Sequence, residues 1–302
     1  MKKFSCKPLY VLLLSLGFAA STTVFAEDSS LPAEPQAKTP ATESVQPRID
    51  EASVNKAAEK RKKIIAEATA ALDQTETALG DLEENKTDEA LKALEAATGK
   101  LELILARDPE LALAPVGVDV VTYDLMASLD TIRAVIDEAE DYLEAGEIQL
   151  ARPLMANLAS EIVIRTTNIP LATYPDAIKA VTPLIDAGDI DAARAGLQAA
   201  LNTLVITEEV IPLPVLRAEQ LLANAESLAE NEERTSEDNE TLASLLKDAR
   251  QQLKMAELLG YGTKQVFKPM YAQLDQIEHK TAGGKGGKGW FDKIKAQLTE
   301  MF

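Results

Sequence analysis

The segment GEIQLAR at residues 146–152 recurs 42 positions later as GDIDAAR at residues 188–194, and this repetition decides the fold that we expect. Each copy opens a longer block, residues 146–181 and residues 188–223, which also contains the phrase Ile-Pro-Leu. A fainter copy at residues 85–109 keeps the same offsets, with asparagine in place of the first glycine. Self-similarity on this scale indicates one supersecondary unit that is used more than once.

Each block has the residue pattern of a helix that follows a helix-ending glycine. Gly146 and Gly188 suit the left-handed backbone that ends many helices, and the alanines five positions later allow close packing. The pattern predicts an all-α protein made of repeated helical hairpins packed in one bundle-like domain. The β-branched runs at residues 162–164 and 204–206 leave open a small two-stranded β ribbon, in which matching positions of the two copies would pair.

The N-terminal region has two compositions. Residues 1–26 combine lysines, an apolar run and a Val-Phe-Ala ending, which is typical of a signal peptide cleaved near Ala26 and predicts a periplasmic protein. Residues 27–49 are rich in proline, alanine and threonine and have few large apolar side chains. Such a segment cannot offset the entropy lost on ordering, so we expect a disordered tether.

Helical periodicity runs through residues 50–282, which we predict to be the helical domain. The clearest apolar stripe lies between Val118 and Leu143 and ends at Gly146. We therefore expect one long amphipathic helix across residues 118–143, immediately before the first strong copy of the repeat.

Two short segments complete the chain. Residues 283–289 read GGKGGKG, which predicts a flexible linker, and residues 290–302 have the spacing of an amphipathic helix. That helix could dock on its own body, on a second subunit or on a membrane. We favour protein over membrane and predict that it supports assembly through Trp290, Phe291, Ile294 and Leu298.

The charge of the chain restricts its partners. Aspartate and glutamate number 49 against 31 lysines and arginines, which gives a formal net charge of −18. A surface this acidic disfavours nucleic acid and anionic membrane as partners. It favours solubility and cationic partners.

The sequence offers few groups for chemistry. Cys6 lies in the predicted leader and His279 is the single histidine, so zinc sites and catalysis by cysteine or histidine nucleophiles are excluded for the exported chain. The carboxylates between Asp137 and Glu144 could bind calcium loosely, but helical carboxylates lack the loop carbonyls that calcium sites use. We expect a solvated face there, and we predict no cofactor, no metal and no enzymatic activity.

Three phrases carry a resemblance to a known family: IPLPVLRA at residues 211–218, QLKMAELLGYG at residues 252–262, and GGKGGKGWFDKI at residues 283–294. They resemble the YfdX family of bacterial proteins, from about Lys60 to the C-terminus. The resemblance implies a mainly helical, exported and oligomeric protein, linked to acid and multidrug stress responses, with no agreed biochemical activity and no catalytic residues.

Two hypotheses of function follow. The first is a non-enzymatic envelope stress protein that binds partner proteins or shields unfolded ones, and that we expect to form a homo-oligomer. The second is a binding module for a small amphipathic molecule or drug. Its apolar surface would lie between the hairpins and would be lined by Ile164, Leu171, Ile206 and Leu213.

Overall fold

Helices and one small sheet make up the computed structural model, which describes residues 39–301. The elements in chain order are α1 (Pro40–Arg61), α2 (Ala66–Glu83), α3 (Thr87–Arg107), β1 (Leu113–Tyr123), α4 (Leu129–Glu144), α5 (Ile148–Ala156), β2 (Glu161–Pro170), α6 (Tyr174–Lys179), α7 (Thr182–Asp186), α8 (Ile190–Leu201), β3 (Val205–Pro212), α9 (Leu213–Glu230), α10 (Ser236–Leu258), α11 (Lys264–Thr281) and α12 (Asp292–Thr299). The predicted helical class is confirmed. None of the helices within residues 39–301 has the length and hydrophobicity to span a bilayer.

The repeat corresponds to a helical hairpin followed by a strand, which occurs three times as α2–α3–β1, α4–α5–β2 and α7–α8–β3. Asn85, Gly146 and Gly188 all have positive φ and form the turn between the two helices of each hairpin. In every turn the next backbone N–H donates to the carbonyl five residues earlier, at 2.8–2.9 Å. This is the hydrogen bond of a Schellman cap, so the predicted helix-ending role of these positions is confirmed.

The three strands form an antiparallel sheet in the order β1-β2-β3. The strands of the two strong repeat copies pair, as the ribbon hypothesis required, but matching positions do not face each other. Ile164 pairs with Glu209 rather than with Ile206, because antiparallel strands run in opposite directions. The sheet also contains a third strand, β1, which the hypothesis lacked.

The long helix predicted across residues 118–143 is wrong in its first half. Val118 and Val121 belong to β1, and the helix α4 begins only at Leu129, where the Ser128 side chain caps it. The run from residue 116 to 122 is largely β-branched, and such residues pack well on a pleated surface. A three-residue spacing of two valines fits a helix, but here the strand preference prevails.

The predicted tether is wrong for residues 40–49, which form the first half of α1. Thr39 caps this helix, Pro40 occupies its first turn, and Val45 and Ile49 are completely buried. These two apolar side chains, at i and i+4, pack in the core on the same side of α1 and hold the segment against the body of the protein. Residues 1–26 of the predicted leader and residues 27–38 of the tether lie outside the described residues.

Two hydrophobic cores share the sheet. The first is formed by α1, α9, α10, α11 and α12 against Ile162 and Ile164 of β2. The second is formed by α2, α3, α6, α7 and α8 against Ile169 at the other end of the same strand. The strand β2 therefore contributes to both cores.

The C-terminal segment packs on its own chain. Phe291, Ile294 and Leu298 are completely buried in the first core, and Trp290 is half-buried beneath the ammonium of Lys280. The predicted docking to protein therefore takes place within the chain. The apolar face of α12 is thus covered by its own chain. That the helix supports assembly stays a prediction.

The Gly/Lys segment before that helix is fixed rather than flexible. The backbone N–H of Gly287 donates to the carbonyl of Ala229 at 3.1 Å, and Arg234 donates to the carbonyl of Lys285 at 2.7 Å. A Cβ atom at position 287 would overlap the Trp290 ring. The glycine is thus needed for close approach, and the linker prediction is corrected.

The partial burial of Glu219 on α9 predicts that stability depends on pH, and this dependence can be tested. Burial raises the pKa of its carboxyl group, partly opposed by the charge of Lys295. A raised pKa in the folded state means that stability is fully present below the unfolded pKa and falls as pH rises through the folded pKa. We expect Glu219→Gln to raise the free energy of unfolding at pH 7, on the order of 0.5 kcal/mol. The gain should vanish below about pH 4.

Urea denaturation at pH 7 and at pH 3.5 measures this difference. The matched control is Glu233→Gln, which removes the same charge from an exposed loop position. An equal gain at both pH values, or an equal gain in the control, would contradict the role of Glu219 burial.

Candidate functional site

The four residues predicted to line an apolar binding surface do not share a surface. Ile164 and Leu213 are buried in the first core, and Leu171 is buried in the second. Ile206 is 61% exposed on β3. The Ile-Pro-Leu corners therefore supply core contacts, and the predicted surface between hairpins is wrong.

Exposed apolar side chains concentrate instead on the middle hairpin, α4–α5. Leu143, Ile148, Leu150 and Met155 are between 43% and 62% exposed, and Met126 just before α4 is also exposed. Large apolar side chains scattered singly on a surface need no explanation, but a cluster on one hairpin does. We call these four residues of α4–α5 the hairpin face. Ile148 and Met155, seven residues apart, lie on the same side of α5, whereas Leu150 lies on the other side of the buried Ala151.

The repeat shows why this face is unusual. One position of the repeated helix is Leu94 in α3, Met155 in α5 and Leu197 in α8. The first and third are 3% and 0% exposed, whereas Met155 is 52% exposed. The preceding alanine of the repeat is buried in all three copies. The helices α4 and α5 thus pack on each other as their counterparts do, but their outer apolar position has no cover among residues 39–301.

The packing of neighbouring elements accounts for the difference. The α2–α3 hairpin is covered by α6, α7 and α8, and α8 in turn packs on α2. The α4–α5 hairpin makes its main contact within itself and touches α10. A helical hairpin with one apolar face needs a second surface to bury that face.

The electrostatics of the hairpin are one-sided. Residues 129–156 contain seven carboxylates and two arginines, and all of these side chains are exposed. Arg133 pairs with Asp130 at 2.7 Å, within one turn of α4. The carboxylates from Asp137 to Glu144 are all exposed to solvent. The described part of the chain holds no group of histidine, cysteine or carboxylate side chains arranged to bind a metal ion. The hairpin face is therefore apolar with a strongly acidic border.

Buried polar side chains elsewhere join elements together. The Tyr261 hydroxyl accepts from the Ser160 N–H at 2.9 Å and donates to Glu161 at 2.8 Å, which ties the α10–α11 turn to β2. Burial, and then the neighbouring Glu161 carboxylate, raise the pKa of Tyr261 well above its usual range. His279 is exposed on α11. We assign these groups a structural role.

Sequence reasoning identifies the repeat but not the hairpin face. Met155 is the counterpart of Leu197 in the repeat, and that likeness indicates a core position in both. One feature of the sequence could have distinguished the exposed position from the buried one. Helix α5 is short, and Pro153 lies in its last turn. A nine-residue helix offers less surface for a neighbouring element to cover.

Comparison with known proteins identifies the family. The family model described as YfdX protein matches residues 71–210, which run from α2 to β3 and span most of the three hairpin–strand units. The match ends one residue before the IPLPVLRA phrase. Among solved structures, the chain is similar to YfdX of Salmonella Typhi, with 14% identity over 50% of this chain and 93% of that chain and a TM-score of 0.34. No curated protein matches the chain. Residues 71–210 of this chain belong to the YfdX family.

Proposed function

We propose that this protein is a non-enzymatic binding protein of the bacterial envelope that uses the hairpin face to hold apolar segments of partner or unfolding proteins. The observation that carries the proposal is the exposure of Met155 at a repeat position where Leu94 and Leu197 are buried. A large apolar side chain contributes about 1.5–3 kcal/mol when it is moved from water into a contact. Ile148 and Met155 lie on the same side of α5, so one partner segment can cover both at once.

The border of the hairpin face indicates which partners fit. Seven carboxylates against two arginines attract segments in which lysine or arginine flanks an apolar run. The acid and drug stress role implied by the family resemblance is part of this proposal, as are the periplasmic location and the cleaved leader. A chain that meets unfolding proteins in the envelope would encounter such segments during stress.

Self-association is the second candidate for the same face. Within the chain, α8 packs on α2, so helices of this repeat already pack against each other. The hairpin face of a second copy could provide the same kind of cover and form the expected homo-oligomer. We rank it second because two chains with a net charge of −18 repel each other.

Polar substitutions on the hairpin face test the proposal. Ile148→Gln combined with Met155→Gln should weaken protection of an acid-unfolded client against aggregation at least tenfold, because both side chains lose their apolar contact with the client. Turbidity of the client as a function of protein concentration measures the effect. The matched control is Val54→Gln combined with Val266→Gln, since both valines are exposed apolar residues away from the hairpin.

Light scattering of the same variants separates the two candidates. An unchanged mass with lost protection supports a partner protein, whereas a lower mass supports a homo-oligomer joined at this face. If the hairpin variant protects the client as well as the control does and keeps the same mass, the proposed role of the hairpin face is wrong.

A further inference from the structure

A cavity of about 140 Å³ lies between the start of α1, the loop from β1 to α4, and the helices α9 and α10. Its mouth is beside Met126 and Lys247, which are both exposed. For comparison, an engineered cavity of about 150 Å³ in another protein accepts a benzene molecule. The cavity therefore has room for a small organic molecule that enters from solvent.

Arg217 of α9 presents unused hydrogen-bond donors to this cavity. Its side chain is about 6% exposed, and its Nη2 donates to Asp124 at 2.8 Å and to Gln46 at 3.4 Å. Within residues 39–301, Nε and Nη1 donate to no acceptor. A guanidinium has five N–H donors, so Nε and Nη1 can each donate a single, charge-assisted hydrogen bond to a carboxylate while Nη2 keeps its two partners.

Two acceptors on α10 line the same cavity. Asp248 is only 9% exposed and accepts one hydrogen bond, from the Thr39 hydroxyl at 2.7 Å. Among the described residues it has no salt-bridge partner. The Oε1 atom of Gln252, one turn further along, is buried and accepts from no described group. Buried acceptors without donors are costly, so these two atoms suit a donor such as an ammonium group.

Apolar side chains complete the lining. Leu125 and Leu129 border it on the α4 side, and Met255 borders it on α10. The formal charges at the cavity balance, because Arg217 and Lys247 stand against Asp124 and Asp248. A ligand that brings no net charge therefore suits the site.

We propose that this cavity binds a small zwitterion with an apolar side chain, of the size and chemistry of a free amino acid such as leucine or valine. The carboxylate of the ligand bonds to Arg217, and its ammonium bonds to Asp248 and Gln252. Its side chain packs against Leu125 and Met255. The cavity lies apart from the hairpin face, so this inference does not depend on the proposed protein-binding function.

Titration calorimetry of the purified full chain with three matched probes tests the ligand class. The probes are leucine, isopentylamine, which lacks the carboxylate, and 4-methylpentanoate, which lacks the ammonium. We expect saturable binding of leucine and at least tenfold weaker binding of each of the other two. Absence of binding for all three at millimolar concentration overturns the proposal. Equal binding of leucine and one single-charge probe overturns the zwitterion class.

Variants locate the binding. Asp248→Asn should weaken leucine binding at least tenfold, whereas Glu240→Gln, an exposed position on the same helix, should leave it unchanged. Met126→Trp places a larger side chain at the mouth and should also weaken binding without touching the core, so the test stands even if Asp248→Asn fails to fold. Unchanged binding in Met126→Trp, or in a folded Asp248→Asn, shows that the ligand binds elsewhere and overturns the assignment of this cavity.

Discussion

Replacing Phe291 by alanine is expected to lower the free energy of unfolding by about 3–5 kcal/mol and to leave the mass of the native protein unchanged. The Phe291 ring is completely buried in the first core, together with Ile294 and Leu298. Its removal leaves a cavity that the surrounding helices only partly fill. Urea denaturation measures the stability, and light scattering under native conditions measures the mass.

The matched control for this variant is Lys293→Ala, an exposed position in the same helix that should change stability by less than about 0.5 kcal/mol. The opposite outcome, a lower mass with little loss of stability, would return α12 to the assembly role that the sequence indicated. It would also mean that the intrachain docking of this helix is wrong.

A comparable loss is expected at the other end of the described chain. Ile49→Ala should lower the free energy of unfolding by about 2–5 kcal/mol, because Ile49 is 1% exposed in the first core. Val54→Ala, in the same helix but 63% exposed, is the control and should have little effect. If Ile49→Ala behaves like Val54→Ala in urea denaturation, residues 40–49 are a tether after all.

The parts of the fold that depend on local chemistry can be predicted from the sequence. The pattern predicts helix ends at Gly146 and Gly188, and both adopt the left-handed conformation that glycine tolerates. It also predicts close packing at the alanines 151 and 193, and both are completely buried. These features follow from one or two residues and their immediate neighbours.

The errors concern segments whose structure depends on distant contacts. Val118 and Val121 have a helical spacing, yet they lie in β1 because β2 pairs alongside. The segment from Pro40 to Ile49 has the composition of a tether, yet α9 and α10 offer its two apolar side chains a place in the core. In α1 tertiary packing overrides the local composition. In β1 the pairing with β2 acts together with the strand preference of the β-branched run, against the helical spacing.

The candidate site could not be predicted from the sequence for the same reason, because it also depends on contacts between distant parts of the chain. The repeat predicts an apolar residue at Met155, but the sequence of the repeat does not indicate which copy lacks a covering neighbour. The cavity beside Arg217 is assembled from four separate parts of the chain, the first of which has the composition of a tether. No local sequence motif marks the hairpin face or the cavity, so both could be identified only from the three-dimensional structure.

Site-specific photo-crosslinking in intact cells tests the proposed protein-binding role most directly. A photoreactive residue replaces Met155 on the hairpin face or, as the control, Val54 on α1, which is similarly exposed. Cells are irradiated at neutral and at acid pH, and the crosslinked partners are identified by mass spectrometry. We predict crosslinks to other envelope proteins from position 155 and few from position 54. Equal yields from the two positions, or no crosslinks from position 155 at either pH, would contradict the proposal that the hairpin face binds proteins.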